Sequence, residues 1–171
     1  AVKLSPFYTN ALRFISDLDR AGADGVVLFN RLLQPDIDTE KGRHIFPYSL
    51  SHPDDNRLPM RFAGLLYGNI NSSLCANSGI FSGNDVIKMI LAGAGSVQVV
   101  STIYRNNVEV IGKMLADIEK WMDECGYENI RSFRGRLSRN MTDNKLPYQR
   151  AQYVDLMMNS EELLKKYKVI N

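Results

Sequence analysis

The sequence predicts an α/β fold built on a parallel sheet, and three observations predict it. Short apolar runs alternate with amphipathic stretches of helical period four times over, the pattern of strands with covering helices. A Ser78-Gly79 bend closes one apolar run, and a Gly93-Ala94-Gly95 turn leads into another that ends at Ser101. In β/α barrels, turns of this kind after the last two strands hold a phosphate. The third observation is length: 171 residues carry four strand–helix units, and four units are half of an eight-fold barrel, which takes about 250 residues.

Each element has its own local reason. Residues 1–5 read as a strand stopped by Pro6. Thr9 or Asn10 can cap a helix with Leu12, Ile15 and Leu18 on one face, closed by Ala21-Gly22. Residues 24–29 (Asp-Gly-Val-Val-Leu-Phe) form a short apolar run without alternation, the mark of a strand covered on both faces. A long connection over residues 31–53 holds Pro35, Pro47 and Pro53; connections of this length are usually functional or carry small elements. A helix is predicted from about Asp55 to Ile70, with Leu58, Phe62, Leu65 and Leu66 inward, then a strand over 73–77. Ser82 and Asp85 have capping-box spacing before Val86, Ile87 and Ile90, although the box prefers Glu or Gln in Asp85's place. The fourth strand is predicted over 96–101. Asn106 and Glu109 repeat the capping spacing ahead of the longest helix, which runs to about Glu124 with Ile111, Leu115, Ile118 and Met122 as its stripe. Gly126 stops it. Residues 1–140 are expected to be the half-barrel and 141–171 a helical extension packed on it.

Bulk composition narrows the function classes. Apolar residues make up 44% and charged residues 23%, a globular balance. A net charge of +2 is too small to call for a polyanion, so no nucleic-acid partner is expected. No run of about 18 apolar residues occurs, so no membrane partner is expected either. Cys75 and Cys125 fit free thiols in a reducing compartment, and the expected location is cytoplasmic. The opening Ala1-Val2-Lys3-Leu4-Ser5-Pro6 starts inside a strand, so the expectation is a piece of a longer polypeptide.

The order and spacing of several motifs resemble dihydroorotate dehydrogenase. They are Val2-Lys3-Leu4-Ser5-Pro6, Gly22 to Asn30, the Ser78-Gly79 to Ser101 pattern, Tyr104-Arg105-Asn106-Asn107, and Ser132-Phe133-Arg134-Gly135. The match runs along nearly the whole chain but only along the second half of that family's barrel, strands five to eight, followed by C-terminal helices. It is nearest to the soluble rather than the membrane-associated group. The resemblance implies an FMN-dependent oxidoreductase that converts dihydroorotate to orotate in pyrimidine biosynthesis. It implies that Lys3 lies by the flavin ring and that Asn30 hydrogen-bonds the pyrimidine. Ser78 and Gly79 take the place of the paired glycines on the FMN phosphate, and Val100 and Ser101 take that of its Gly-Thr pair. Ser51 stands near a Gly-rich bend on the cofactor side. Ser78 and Val100 replace glycines, and Arg31 follows Asn30 where a small polar residue is usual. The catalytic base falls upstream of Ala1, so no catalytic residue is expected in this chain; Cys75 lies within a different strand.

The chemistry suits these roles, and each residue also has a plainer reading. Backbone N–H groups at a helix start attract a phosphate dianion, yet Gly-rich strand-to-helix turns are common without a ligand. A lysine at a strand end can stabilise a reduced, anionic flavin; it can also be a solvated residue near a terminus. Asn30 presents one donor and one acceptor, or simply ends a strand. His44 and His52 match no metal spacing, so no metal is expected. Asp36 and Asp38 read as a solvated turn, and Arg131, Arg134, Arg136 and Arg139 as a solvated or salt-bridged face. The expected partners are a dihydropyrimidine, the missing N-terminal half of the barrel and a second copy in a homodimer. The alternatives are a related dihydropyrimidine dehydrogenase domain and a non-catalytic half-barrel that self-associates. The fragment alone is expected to be inactive.

Overall fold

Four parallel strands, β1 (Val2–Leu4), β2 (Gly25–Leu28), β5 (Ser73–Asn77) and β6 (Ser96–Gln98), lie side by side in chain order. They belong to a computed structural model that describes residues 1–149 together with Val154 and Met158. The chain divides into two units, Ala1–Met141 and Thr142–Asn171. Of the second, a 3₁₀ turn at Leu146–Tyr148 is described. The helical extension expected over 141–171 falls mostly outside the described residues.

Register assigns each side chain to a face. Leu4, Leu28, Ala76 and Val97 form one row across the sheet, and Lys3, Val27, Cys75 and Ser96 the adjacent row. Successive residues of a strand point to opposite sides, so the first row faces the helices and the second faces away. The first row is largely core: Leu4, Leu28 and Ala76 are buried with Val26 and Leu74. The second is mixed, with Val27 buried but Lys3, Ser96 and Gln98 exposed. Among the described residues one face of this parallel sheet is covered by helices, and the other is open along its outer strands, where Lys3, Ser96 and Gln98 lie, while Val27 and Asn77 at its centre are buried.

Helix α1 (Ala11–Arg20) begins where predicted, with Asn10 Oδ1 accepting the Arg13 N–H at 3.0 Å. Ile15 is fully buried against Val26, Leu28 and Leu74. A side chain of that size contributes roughly 1.5–3 kcal/mol on burial, more than ten residues of ordinary helix propensity supply unaided. Asp19, at the end of the same helix, accepts from the Ser72 hydroxyl (2.5 Å) and from the N–H groups of Ser72 (2.7 Å) and Asn71 (3.0 Å). These bonds pin the helix to the chain entering β5, and the Ser72 hydroxyl, first among them, holds the Asp19 carboxyl below its ordinary value.

The long connection carries a small antiparallel hairpin, β3 (Asp36–Asp38) with β4 (Arg43–Ile45), and then a 3₁₀ turn at Pro53–Asn56. Helix α2 (Arg57–Leu66) is shorter than predicted and buries Ala63 and Leu66, while Leu58 is exposed. Helix α3 (Gly83–Ala92) carries the full capping box: Asp85 N–H donates to Ser82 Oγ, and Asp85 Oδ2 accepts from the N–H groups of Phe81 and Ser82 and from the Ser82 hydroxyl. Aspartate therefore serves where glutamate is commoner.

Three expectations need correction. The fourth strand ends at Gln98 rather than 101, because Ser101 begins a short helix, α4 (Ser101–Asn106). Asn106 does not cap the longest helix, α5 (Val110–Cys125); its amide instead donates back to Thr102 within α4, and the Glu109 N–H goes to Asn107 Oδ1. The stripe of α5 is half as predicted: Ile118 is buried and Met122 packs on the core, but Ile111 and Leu115 are exposed and Met114 is buried instead. Gly83 sets this register: a Cβ there would run into the Asp117 side chain and lie 2.8 Å from the Met114 carbonyl oxygen, so α3 and α5 meet at backbone distance. Phe133, fully buried, closes that side against the rings of Trp121 and Tyr127. Of the arginines beyond α5, Arg131, Arg136 and Arg139 are exposed as expected and Arg134 alone is partly buried. Arg134 Nε donates to the Gly93 carbonyl at 3.1 Å and its guanidinium lies over the Tyr67 ring, while Arg136 bonds the Tyr127 hydroxyl.

Candidate functional site

All the strands of the main sheet run the same way, so their C-terminal ends and the loops that follow them gather at one end. There they form an open cleft of about 270 Å³. Lys3, Asn30, Ser51, Ser78, Gly79, Val100 and Ser101 all line it. Every position singled out from sequence thus reaches the same place, although the first and last are separated by most of the described chain. A second cleft of about 250 Å³, which Asp55 also lines, shares Asn30, Arg31, Asn77 and Ser78 with it, so the two adjoin as parts of one groove.

Each wall has a local cause. Lys3, on β1, projects over the open face and donates from Nζ to Gln98 Oε1 on β6 at 3.2 Å. The two outer strands of the sheet are thereby bridged across that face. Asn30 follows β2, and its N–H donates to the Leu4 carbonyl at 2.6 Å, which fixes the exit of the strand. Asn77, the last residue of β5, is buried and donates from Nδ2 to the Phe29 carbonyl at 2.7 Å. Ser78 and Gly79 then turn the chain with φ of +82° and +70°. At Gly79 a Cβ would overlap the Asn56 backbone nitrogen and stand 2.8 Å from the Asp55 carbonyl carbon, so only glycine fits against the 3₁₀ turn.

The segment after the hairpin returns across these strand ends and ties them together. The Ser51 N–H donates to Ser101 Oγ at 2.9 Å, joining two residues that were singled out independently. Arg31 pairs with Asp55 and reaches Ser49 Oγ at 3.4 Å. Asp55 in turn accepts the His52 N–H at 2.8 Å.

The charge balance of the main cleft is one-sided. Lys3 and Arg31 line it, and no carboxylate does. The positive ends expected for a phosphate differ from the prediction in one respect. At the start of α3 the N–H groups of Phe81, Ser82 and Asp85 are already taken by the Asp85 and Ser82 side chains. Of the first-turn N–H groups of α3, that of Asp85 is thus engaged by its own cap. Val100 is half exposed at the cleft.

Sequence reasoning passed over Asn77 and Gln98, which also line the cleft. Each is the polar final residue of a parallel strand in an otherwise small or apolar run, and that position is the signal that could have marked them. Asp55, which fixes Arg31, had no such signal, because its partner lies 24 positions away in the sequence. His44 and His52 do not line the main cleft. Among the described residues no group of three His, Cys, Asp or Glu side chains stands together as a metal site.

No family model matches the chain. Among curated proteins it is 30% identical over 138 residues to "Dihydroorotate dehydrogenase B (NAD(+)), catalytic subunit" of Exiguobacterium sibiricum, covering 79% of this chain and 44% of that one. The protein of the same name from Anoxybacillus flavithermus is matched to the same extent, again at 30% identity. Among solved structures, DHODH from Eimeria tenella in its ligand-free form gives a TM-score of 0.61 at 21% identity, over 78% of this chain and 38% of that one. Its complex with ferulenol gives 0.58 at 23% identity, over 72% and 34%. The structural likeness at these identities speaks to the fold, an α/β arrangement with a parallel sheet of the TIM-barrel kind. The likeness to dihydroorotate dehydrogenase extends over most of this chain, and the chain spans less than half the length of the relatives it matches.

Proposed function

We propose that this chain is the C-terminal half of an FMN-dependent barrel oxidoreductase that converts dihydroorotate to orotate, and that it carries much of the cofactor-binding wall. The observation that carries the reading is the convergence of Lys3, Asn30, Ser51, Ser78, Gly79, Val100 and Ser101 on one cleft at the strand ends. The donor set fits a flavin phosphate: two cations, serine hydroxyls, a tight Gly79 bend and no carboxylate in the lining. Bound FMN supplies a ring that accepts hydride from the substrate.

The chain's own residues would hold and orient. The backbone at Ser78-Gly79 and at Val100-Ser101 would hold the phosphate, with the Ser51–Ser101 bond fixing the start of α4 to the segment after the hairpin. Lys3 places positive charge over the open face, where its bond to Gln98 fixes the ammonium group; charge there favours an electron-rich ring. Asn30 offers a donor and an acceptor to a pyrimidine edge. The proton lost from the substrate goes to a base outside these residues, on the complementary half of the barrel. The name of the relatives points to NAD(+) as the final acceptor in a complex in which this chain belongs to the catalytic subunit.

The open sheet face supports the half-barrel reading. Parallel sheets are normally covered on both sides, and Lys3, Ser96 and Gln98 lie uncovered here. The same exposure favours a second reading, in which two copies of the half-barrel cover one another. The test is anaerobic: add dihydroorotate to the full-length, FMN-loaded protein and follow the flavin absorbance. Bleaching is expected. A flavin that stays oxidised with dihydroorotate but bleaches with dihydrouracil would move the assignment to a dihydropyrimidine dehydrogenase.

A further inference from the structure

We propose that Arg31 makes the Asn30 end of the groove selective for an anionic substrate, a pyrimidine-type ring bearing a carboxylate, over the uncharged ring; this rests on the flavoenzyme reading above. Arg31 lines both parts of the groove, immediately after Asn30. It is one of two cations in the main cleft, and the other, Lys3, is engaged with Gln98. Its guanidinium is held from two sides by Asp55 and Ser49. These contacts engage two of the five N–H donors that a guanidinium carries, and the others meet no acceptor among the described residues.

The anchor is rigid. Asp55 sits in the 3₁₀ turn Pro53–Asn56, accepts the His52 N–H, and donates its own N–H to the His52 carbonyl at 3.0 Å. That turn is the surface against which Gly79 packs without room for a Cβ. Asp55 therefore acts as a positioning residue, setting a planar two-pronged donor beside the Ser78-Gly79 bend. A fork fixed in this way matches the paired oxygens of a carboxylate. A neutral ring offers no charge-assisted acceptor to its remaining N–H groups.

The experiment measures the affinity of the full-length, FMN-loaded protein for orotate and for uracil, by the perturbation each causes in the flavin spectrum. Arg31→Gln is expected to weaken orotate binding about 10–100-fold, the usual size for a charge-assisted pair, and to leave uracil within about 3-fold. Arg31→Lys keeps the cation facing Asp55 and covers the case in which Arg31→Gln loses its flavin or fails to fold. Its preference for orotate over uracil is expected to fall several-fold, because a point charge replaces a fork. Equal weakening of both ligands, or an unchanged preference in Arg31→Lys, overturns the role of Arg31 while leaving the flavoenzyme reading intact. If the unmodified protein binds neither orotate nor uracil, that reading falls and this inference falls with it.

Discussion

Ser78 stands at φ +82°, a backbone conformation that only glycine occupies without strain. The family resemblance puts a glycine at this position, and the positive φ gives the physical reason for one. Replacing Ser78 with Gly should therefore stabilise the fold by about 1 kcal/mol, read as a higher midpoint in urea denaturation with an unchanged slope. The neighbouring position predicts the opposite. Gly79→Ala meets both a positive φ and the Asn56 backbone, and should cost about 3 kcal/mol or more, since the obstacle is main chain rather than a movable side chain. Asp19 bears on acid stability. The Ser72 hydroxyl and the backbone N–H groups of Ser72 and Asn71 favour its ionised form and lower its pKa. Its contribution is complete above the ordinary aspartate value of 3.8 and is lost as pH falls through the lower folded value. Asp19→Asn should be less stable than the parent at neutral pH, with the gap closing on acidification; a gap independent of pH would mean that the carboxylate charge is not what holds the Ser72 turn.

The elements were legible to different depths, for reasons that can be stated one at a time. Strand β5 came out at its predicted bounds because it is apolar, short and followed by an unmistakable Ser-Gly bend. The cap of α3 was legible because it is local: Ser82 and Asp85 are three residues apart and need only each other. Asp85 also accepts from Asn56 at 3.1 Å while nearly buried. Asp85→Ala should thus cost about 2–3 kcal/mol, more than a cap alone, and Asn56→Ala in the same background should add little, a coupling that a double-mutant cycle would measure. The register of α5 was not legible. Its apolar residues fit two overlapping stripes, and the choice between them lies in the close approach at Gly83, a contact with another helix. The early end of β6 escaped notice for a similar reason, since Val99-Val100 continues an apolar run while the chain has already turned towards α4.

Across the whole molecule the informative property is that the parallel sheet is dressed on one face. Leu4, Leu28 and Ala76 are buried on the helix side, whereas Lys3, Ser96 and Gln98 are exposed on the other. On the half-barrel reading, residues 1–171 alone should show no dihydroorotate turnover, because the proton acceptor lies elsewhere; turnover by the isolated piece in a dye-reduction assay would refute that reading. The sequence by itself determined the four main strands with their covering helices, their parallel pairing and the bend at Ser78-Gly79. Those follow from apolar periodicity and local backbone chemistry, which neighbouring residues settle among themselves. Only the tertiary structure decided that Ser51 bonds Ser101, that Asp55 holds Arg31, that α5 turns Met114 inward in place of Ile111 and Leu115, and that Lys3, Ser96 and Gln98 stay exposed on one face of the sheet. Each of these depends on groups distant in the chain meeting in space, and no periodicity along the chain encodes such a meeting.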